Sequence, residues 1–289
     1  MTSLPLAAQA MTTKPEPHFP PDISLARQPL LEAWLEIRWQ LEPPEPAPLR
    51  RDPNYPFALG SMYDLVKTRF PFREELEASR APLEVLPNVV RHRFRPAENE
   101  WPVLQLGPGV ATVNLVRPYS WKQLRESAEF LRSNLLAAYG NSLPPLDFCA
   151  LRYRNAAPFE FTQSNVIDFV RSSLNSQIQL PAHVPGFAAS TENPTSLLLV
   201  TTYDLAQPKG TGRIQLGTGK GRTPDAPPPS ERADELVLWD IEITSGGVDV
   251  PDISDPVCFS QWLDDAHAVI HEWFFSLIDG AFLKEYLKG

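Results

Sequence analysis

From Leu31 to Trp39, apolar and polar side chains alternate: Leu31, Ala33, Leu35, Ile37 and Trp39 are separated by Glu32, Trp34, Glu36 and Arg38. A period of two sends the first set to one face of a β-strand and the second to the other. A strand with one buried and one largely polar face belongs in an antiparallel sheet covered on a single side. The pattern returns over 148–155, where Cys149, Leu151 and Tyr153 share one face and Arg152 and Arg154 the other.

Between and after these strands the same order of elements is spelled twice. A helix is expected from Pro56 to Phe70 on the spacing of Leu59, Met62, Leu65, Val66 and Phe70. Strands are expected over 89–94, 103–106 and 111–116, with Gly107-Pro108-Gly109 as the turn between the last two. The next helix has the best-marked start: Ser120 can cap Gln123, Tyr119 can pack on Leu124, and Gly140-Asn141 supplies the stop. In the second round, Thr162 is expected to cap a helix with Phe161 and Val166 as its staple. Strands follow over 196–205, 212–216 and 235–244, and one long helix over 260–287.

The fold class is therefore α+β. It comprises two similar β-α-β-β-β-α halves, 28–143 and 144–289, forming antiparallel sheet with helices on one face. The order is similar to that of the TATA-binding-protein saddle or a helix-grip fold, and it implies internal duplication within one compact domain or two tightly packed subdomains. Residues 1–27, polar, Pro-rich and without period, read as a disordered or loosely attached tail.

Composition removes several classes. Two cysteines in 289 residues, Cys149 and Cys258, give neither a disulfide framework nor a zinc motif. The first ten residues lack the basic start of a signal peptide, and no apolar run reaches the roughly 20 residues that span a bilayer, so a cytoplasmic protein without membrane contact is expected. The net charge of −9 is uneven: from Glu231 onward there are 13 acidic residues against Arg232, Lys284 and Lys288. A nucleic-acid backbone would be repelled by that segment, and nucleic acid is not the favoured partner.

Several runs, in order, resemble a sporadically distributed family of uncharacterised bacterial proteins. They are Pro29-Leu30-Leu31-Glu32-Ala33 with Glu36-Ile37-Arg38, Arg93-Phe94, Gln105-Leu106, Asn114, Pro118-Tyr119-Ser120-Trp121, Leu151-Arg152-Tyr153-Arg154-Asn155, and His267 with Phe274. The chain departs from that pattern at Arg154, where an apolar residue is usual, and in the proline-rich insert around Pro227. The resemblance implies a bacterial protein and assigns no reaction, substrate or cofactor.

Three constellations bear on chemistry. Arg38, Arg152, Arg154 and Asn155 are expected to form a polar binding patch on a sheet face, since the planar guanidinium fork suits carboxylate or phosphate. Tyr119 and Trp121, beside Lys122 and Arg125, are aromatics that could stack on a base or simply pack. Asp264, His267 and His271, at i, i+3 and i+7, are weak metal candidates, for Glu272 follows the second histidine and the metalloprotease spacing H-E-x-x-H fails. Gly217-Thr218-Gly219-Lys220-Gly221 fails the phosphate-loop spacing and reads as a mobile turn. The expectation is a non-enzymatic protein-binding or scaffold component of an accessory or defence-type gene set, with an unknown protein partner, no cofactor, and room for a homo-oligomer. Nucleic-acid or nucleotide binding on the sheet face, and a metal-dependent hydrolase on the last helix, are the alternatives.

Overall fold

The computed structural model describes residues 18–20, 23, 25–43, 49–160, 164–178, 194, 196–221, 234–278 and 280–288. It is a mixed α/β structure built on one nine-stranded open antiparallel sheet with helices packed on it. In chain order the strands are β1 (Leu30–Trp39), β2 (Phe72–Glu75), β3 (His92–Arg95), β4 (Val103–Gly107), β5 (Val110–Leu115), β6 (Leu146–Pro158), β7 (Leu198–Ala206), β8 (Lys209–Gly221) and β9 (Asp234–Gly246). In space they run β2-β3-β4-β5-β1-β6-β9-β8-β7. The two alternating strands read from the sequence lie side by side at the centre, with Leu35 opposite Leu151 and Trp34 opposite Arg152. In each half the first strand pairs with the last strand of that half, and the others follow outward.

The period-two pattern does what it implies. Ala33, Leu35, Ile37, Cys149 and Leu151 are fully buried, and the helices pack on this face. Helix α1 (Tyr55–Val66) lies on α2 (Trp121–Tyr139). In α2, Leu124, Ala128, Leu131 and Leu135 form the buried stripe, Ser120 Oγ accepts from the Gln123 N–H at 3.2 Å, and the helix ends at Gly140 with φ +55°. Helix α4 (Pro256–Ile278) buries Phe259, Leu263, Ala266 and Ile270 against the same core. A second cluster joins α3 (Val166–Ser173), α5 (Ala281–Lys288), Trp239 of β9 and the end of α4.

Asp52 fixes the entry to α1 from inside the core. Its carboxylate accepts from Trp39 Nε1–H at 2.8 Å, from the Tyr139 hydroxyl at 2.7 Å and from the backbone N–H of Asn54 and Tyr55, each at 3.1 Å. A carboxylate that is 1% exposed is held because each oxygen is met by donors.

Four expectations change. The last helix is two helices, broken at Gly280, whose φ of +108° no continuing helix can hold. The glycine run 217–221 is strand, paired residue by residue with β9 from Leu238 to Asp234. A Cβ at Gly219 would sit 2.8 Å from Leu238 Cδ1, whereas one at Gly217 would meet only ordinary contacts. The cap of α3 is Asn165, whose side chain accepts from the Ile167 N–H at 2.9 Å, while Phe161 and Thr162 lie outside the described residues. The first half has an additional edge strand, β2, with no counterpart among the described residues of the second. Of residues 1–27, most lie outside the described residues. Those described rest on the fold: the His18 and Phe19 N–H groups donate to the Glu272 carboxylate, and Phe19 packs on Phe275.

Candidate functional site: two sides of one sheet

The face away from the helices is polar across the sheet. One cross-strand row reads Glu74, Arg93, Gln105, Thr112, Glu36, Ala150, Thr244, Thr211 and Asp204, one residue from each strand. The neighbouring row carries Asn114, Trp34, Arg152, Glu242, Arg213 and Thr202. The next brings Arg154, Asp240, Gln215 and Val200 into line.

Two arginines at the centre of this face are matched by acids. Arg152 is ion-paired with Glu242, and Arg154 grips Asp240 with Nε at 3.0 Å and Nη2 at 2.8 Å from its oxygens. That pairing holds the Arg154 guanidinium even more firmly protonated than usual. Both guanidinium groups lie over the Trp34 ring, at 5.0 and 5.6 Å from its centre. On the first half amides and a hydroxyl link the strands: Gln105 Nε2 donates to Thr112 and Asn114, and Asn114 Nδ2 reaches Glu32 at 2.7 Å. Toward β7 the face turns apolar, with Leu198 70% and Val200 42% exposed.

Of the expected patch, Arg152 and Arg154 stand together. Arg38 is on the same face two rows away, paired with Glu36 and lying over Phe148. Asn155 does not belong to it. Sharing the parity of Leu151 and Tyr153, it points to the helix side, is 1% exposed, and donates to the Trp239 carbonyl at 3.3 Å. Trp34, Arg213, Asp240 and Glu242 were missed by sequence reasoning, although the alternation around Trp34 and Arg152 was the signal that places them.

On the helix side, Tyr119, Trp121, Asn155, His267 and His271 line one cavity of about 300 Å³. Its floor is the end of β1 and β6, one wall is α4, another the entry of α2, and Ile23, Leu25, Gln28 and Pro29 line the fourth side. Trp121 stacks face to face on His267, with ring centres 3.9 Å apart and planes within 6°. Tyr153 hydroxyl is hydrogen-bonded to both Tyr119 hydroxyl and His267 Nδ1, the latter at 2.9 Å. The two aromatics are thus occupied by the protein itself, and Tyr119 turns to Tyr153 and Gln28.

Burial sets the protonation of this chain. It pushes the His267 imidazole down to about 3, and the neighbouring His271 acts in the same direction. His271 is lowered too, chiefly by burial, and both phenols are raised, so the cluster is neutral at pH 7. Asp264 is not part of it: its carboxylate is held by the Arg125 fork at 2.8 and 3.0 Å. The described residues contain no group of three His, Cys, Asp or Glu side chains placed to hold a metal ion. Among them, no helix is long and apolar enough to cross a membrane.

Compared with known protein families, curated proteins and solved structures, the chain matches none.

Proposed function

We propose that this protein is a non-enzymatic protein-binding or scaffold component that docks a protein partner on the sheet face opposite its helices. The observation that carries the reading is Trp34 set between Arg152 and Arg154, each already paired with a carboxylate of β9. Tryptophan and arginine dominate the binding energy of protein interfaces, because they bring large contact area together with oriented donors. Exposed Leu198 and Val200 add apolar area beside the ladder. A polyphosphate backbone needs uncompensated cations, and here Arg152 and Arg154 are each met by an acid, which disfavours nucleic acid on this face.

The way each half pairs its first strand with its last supports a duplicated unit with the saddle-like or helix-grip order. The resemblance to a sporadic bacterial family supports a place in an accessory or defence-type gene set. The neutral tyrosine–histidine chain, with Asp264 held elsewhere, favours binding over metal-dependent hydrolysis.

The test is affinity purification from the native host with the parent, Trp34→Ala and Arg154→Glu chains. A protein that co-purifies with the parent and is depleted at least tenfold with both variants, while their melting curves stay cooperative, is the expected result. Equal recovery with all three would overturn the docking face. Capture of nucleic acid, lost steeply as salt rises, would replace a protein partner with the nucleic-acid alternative.

A further inference from the structure

We propose that the cavity between Ile23, Leu25, Gln28 and Leu30, the entry of α2 and helix α4 binds an uncharged, mainly apolar small molecule. This site lies on the helix side of the sheet and is independent of the docking face.

Size and walls come first. A cavity of about 300 Å³ lies at the small end of the range in which proteins hold organic ligands. Leu25, Trp121, Ile270, Phe274 and Phe275 give it aromatic and aliphatic walls. The described lining residues include no Asp, Glu, Lys or Arg. A charged ligand would leave water without a counter-charge, at a cost that a few apolar contacts do not offset.

The polar side chains around the cavity are held within the protein. Tyr119, Tyr153 and His267 Nδ1 satisfy one another, and the Gln28 side chain is spent on the backbone N–H and carbonyl of Tyr119. The His271 Nε2 is buried as well and presents no accessible surface to the cavity, so it offers no bond to a ligand there.

A matched pair of dyes tests this on the full chain. N-phenyl-1-naphthylamine is uncharged, with a single N–H, and 1-anilinonaphthalene-8-sulfonate has the same ring skeleton with a sulfonate added. The neutral dye is expected to saturate at one per chain, with the sulfonate at least tenfold weaker. Leu25→Trp, which fills the cavity, should weaken the neutral dye at least tenfold. Ile23→Trp fills it from the adjacent position and gives the same readout should Leu25→Trp fail to fold. No saturable binding, equal binding of the two dyes, or neutral-dye binding that survives the filling substitutions would overturn the site.

Discussion

The two faces of β1 and β6 treat polarity in opposite ways, although they belong to the same residues taken alternately. On the helix side Leu35 and Leu151 are fully buried, and the buried Asp52 carboxylate is enclosed by donors that include Trp39 and Tyr139. On the other side Trp34, Arg152 and Arg154 sit half-buried among acids, and their charges are matched across the ladder. The difference assigns stability to one face and exchangeable contacts to the other, because apolar burial is worth far more than a solvent-accessible ion pair.

The sharpest way to break that comparison is to truncate neighbours that point opposite ways. Leu151→Ala should cost about 3–5 kcal/mol in denaturant unfolding, from lost burial and the cavity left behind. Asp52→Ala should cost about 2–4 kcal/mol, since it strands the buried Trp39 and Tyr139 donors. If either variant unfolds like the parent, the helix side is not the stabilising face.

The third effect depends on pH. The folded-state value of His267, about 3, lies below its ordinary 6.5, so the unfolded chain takes up the proton first. Its contribution is therefore complete above pH 6.5 and is lost as pH falls toward 3. Between pH 8 and pH 5 this loss should reach about 2 kcal/mol. His267→Gln should be less stable at pH 8, and the gap to the parent should shrink by that amount at pH 5. A gap that stays constant would mean that the imidazole is not held neutral. The smallest effect is expected on the open face, where Trp34→Ala and Arg152→Ala should each change stability by about 1 kcal/mol or less, against their large effect on partner capture.

Much of the covered face was legible because its buried side must repeat every two residues in strands and follow the helical stripe in α2. Leu35, Leu151 and Leu131 declare themselves through their neighbours. Phe274 shows the limit of that reasoning: its place in the stripe of the last helix marks it as core, yet it is half-buried and lines the cavity, while Ile270 one turn earlier is fully enclosed. β2 escaped because Phe72-Arg73-Glu74-Glu75 has a single apolar residue and is a strand only through its partner β3. The glycine run of β8 escaped for the same reason, for its conformation is imposed by β9. The cavity was beyond local reading altogether. It joins Trp121, Tyr153 and His271, which nothing in the spacing of the chain relates, whereas the misplacement of Asn155 could have been avoided by counting parity from Leu151.

The central claim is that a partner docks on the face carrying Trp34. A photo-reactive amino acid installed in place of Trp34 and, separately, of Val257, which is 73% exposed at the start of α4, reads it out by covalent capture in the native host. The account predicts a discrete protein adduct from position 34 that is absent from position 257. The same adduct from both positions, or one from position 257 alone, would contradict it.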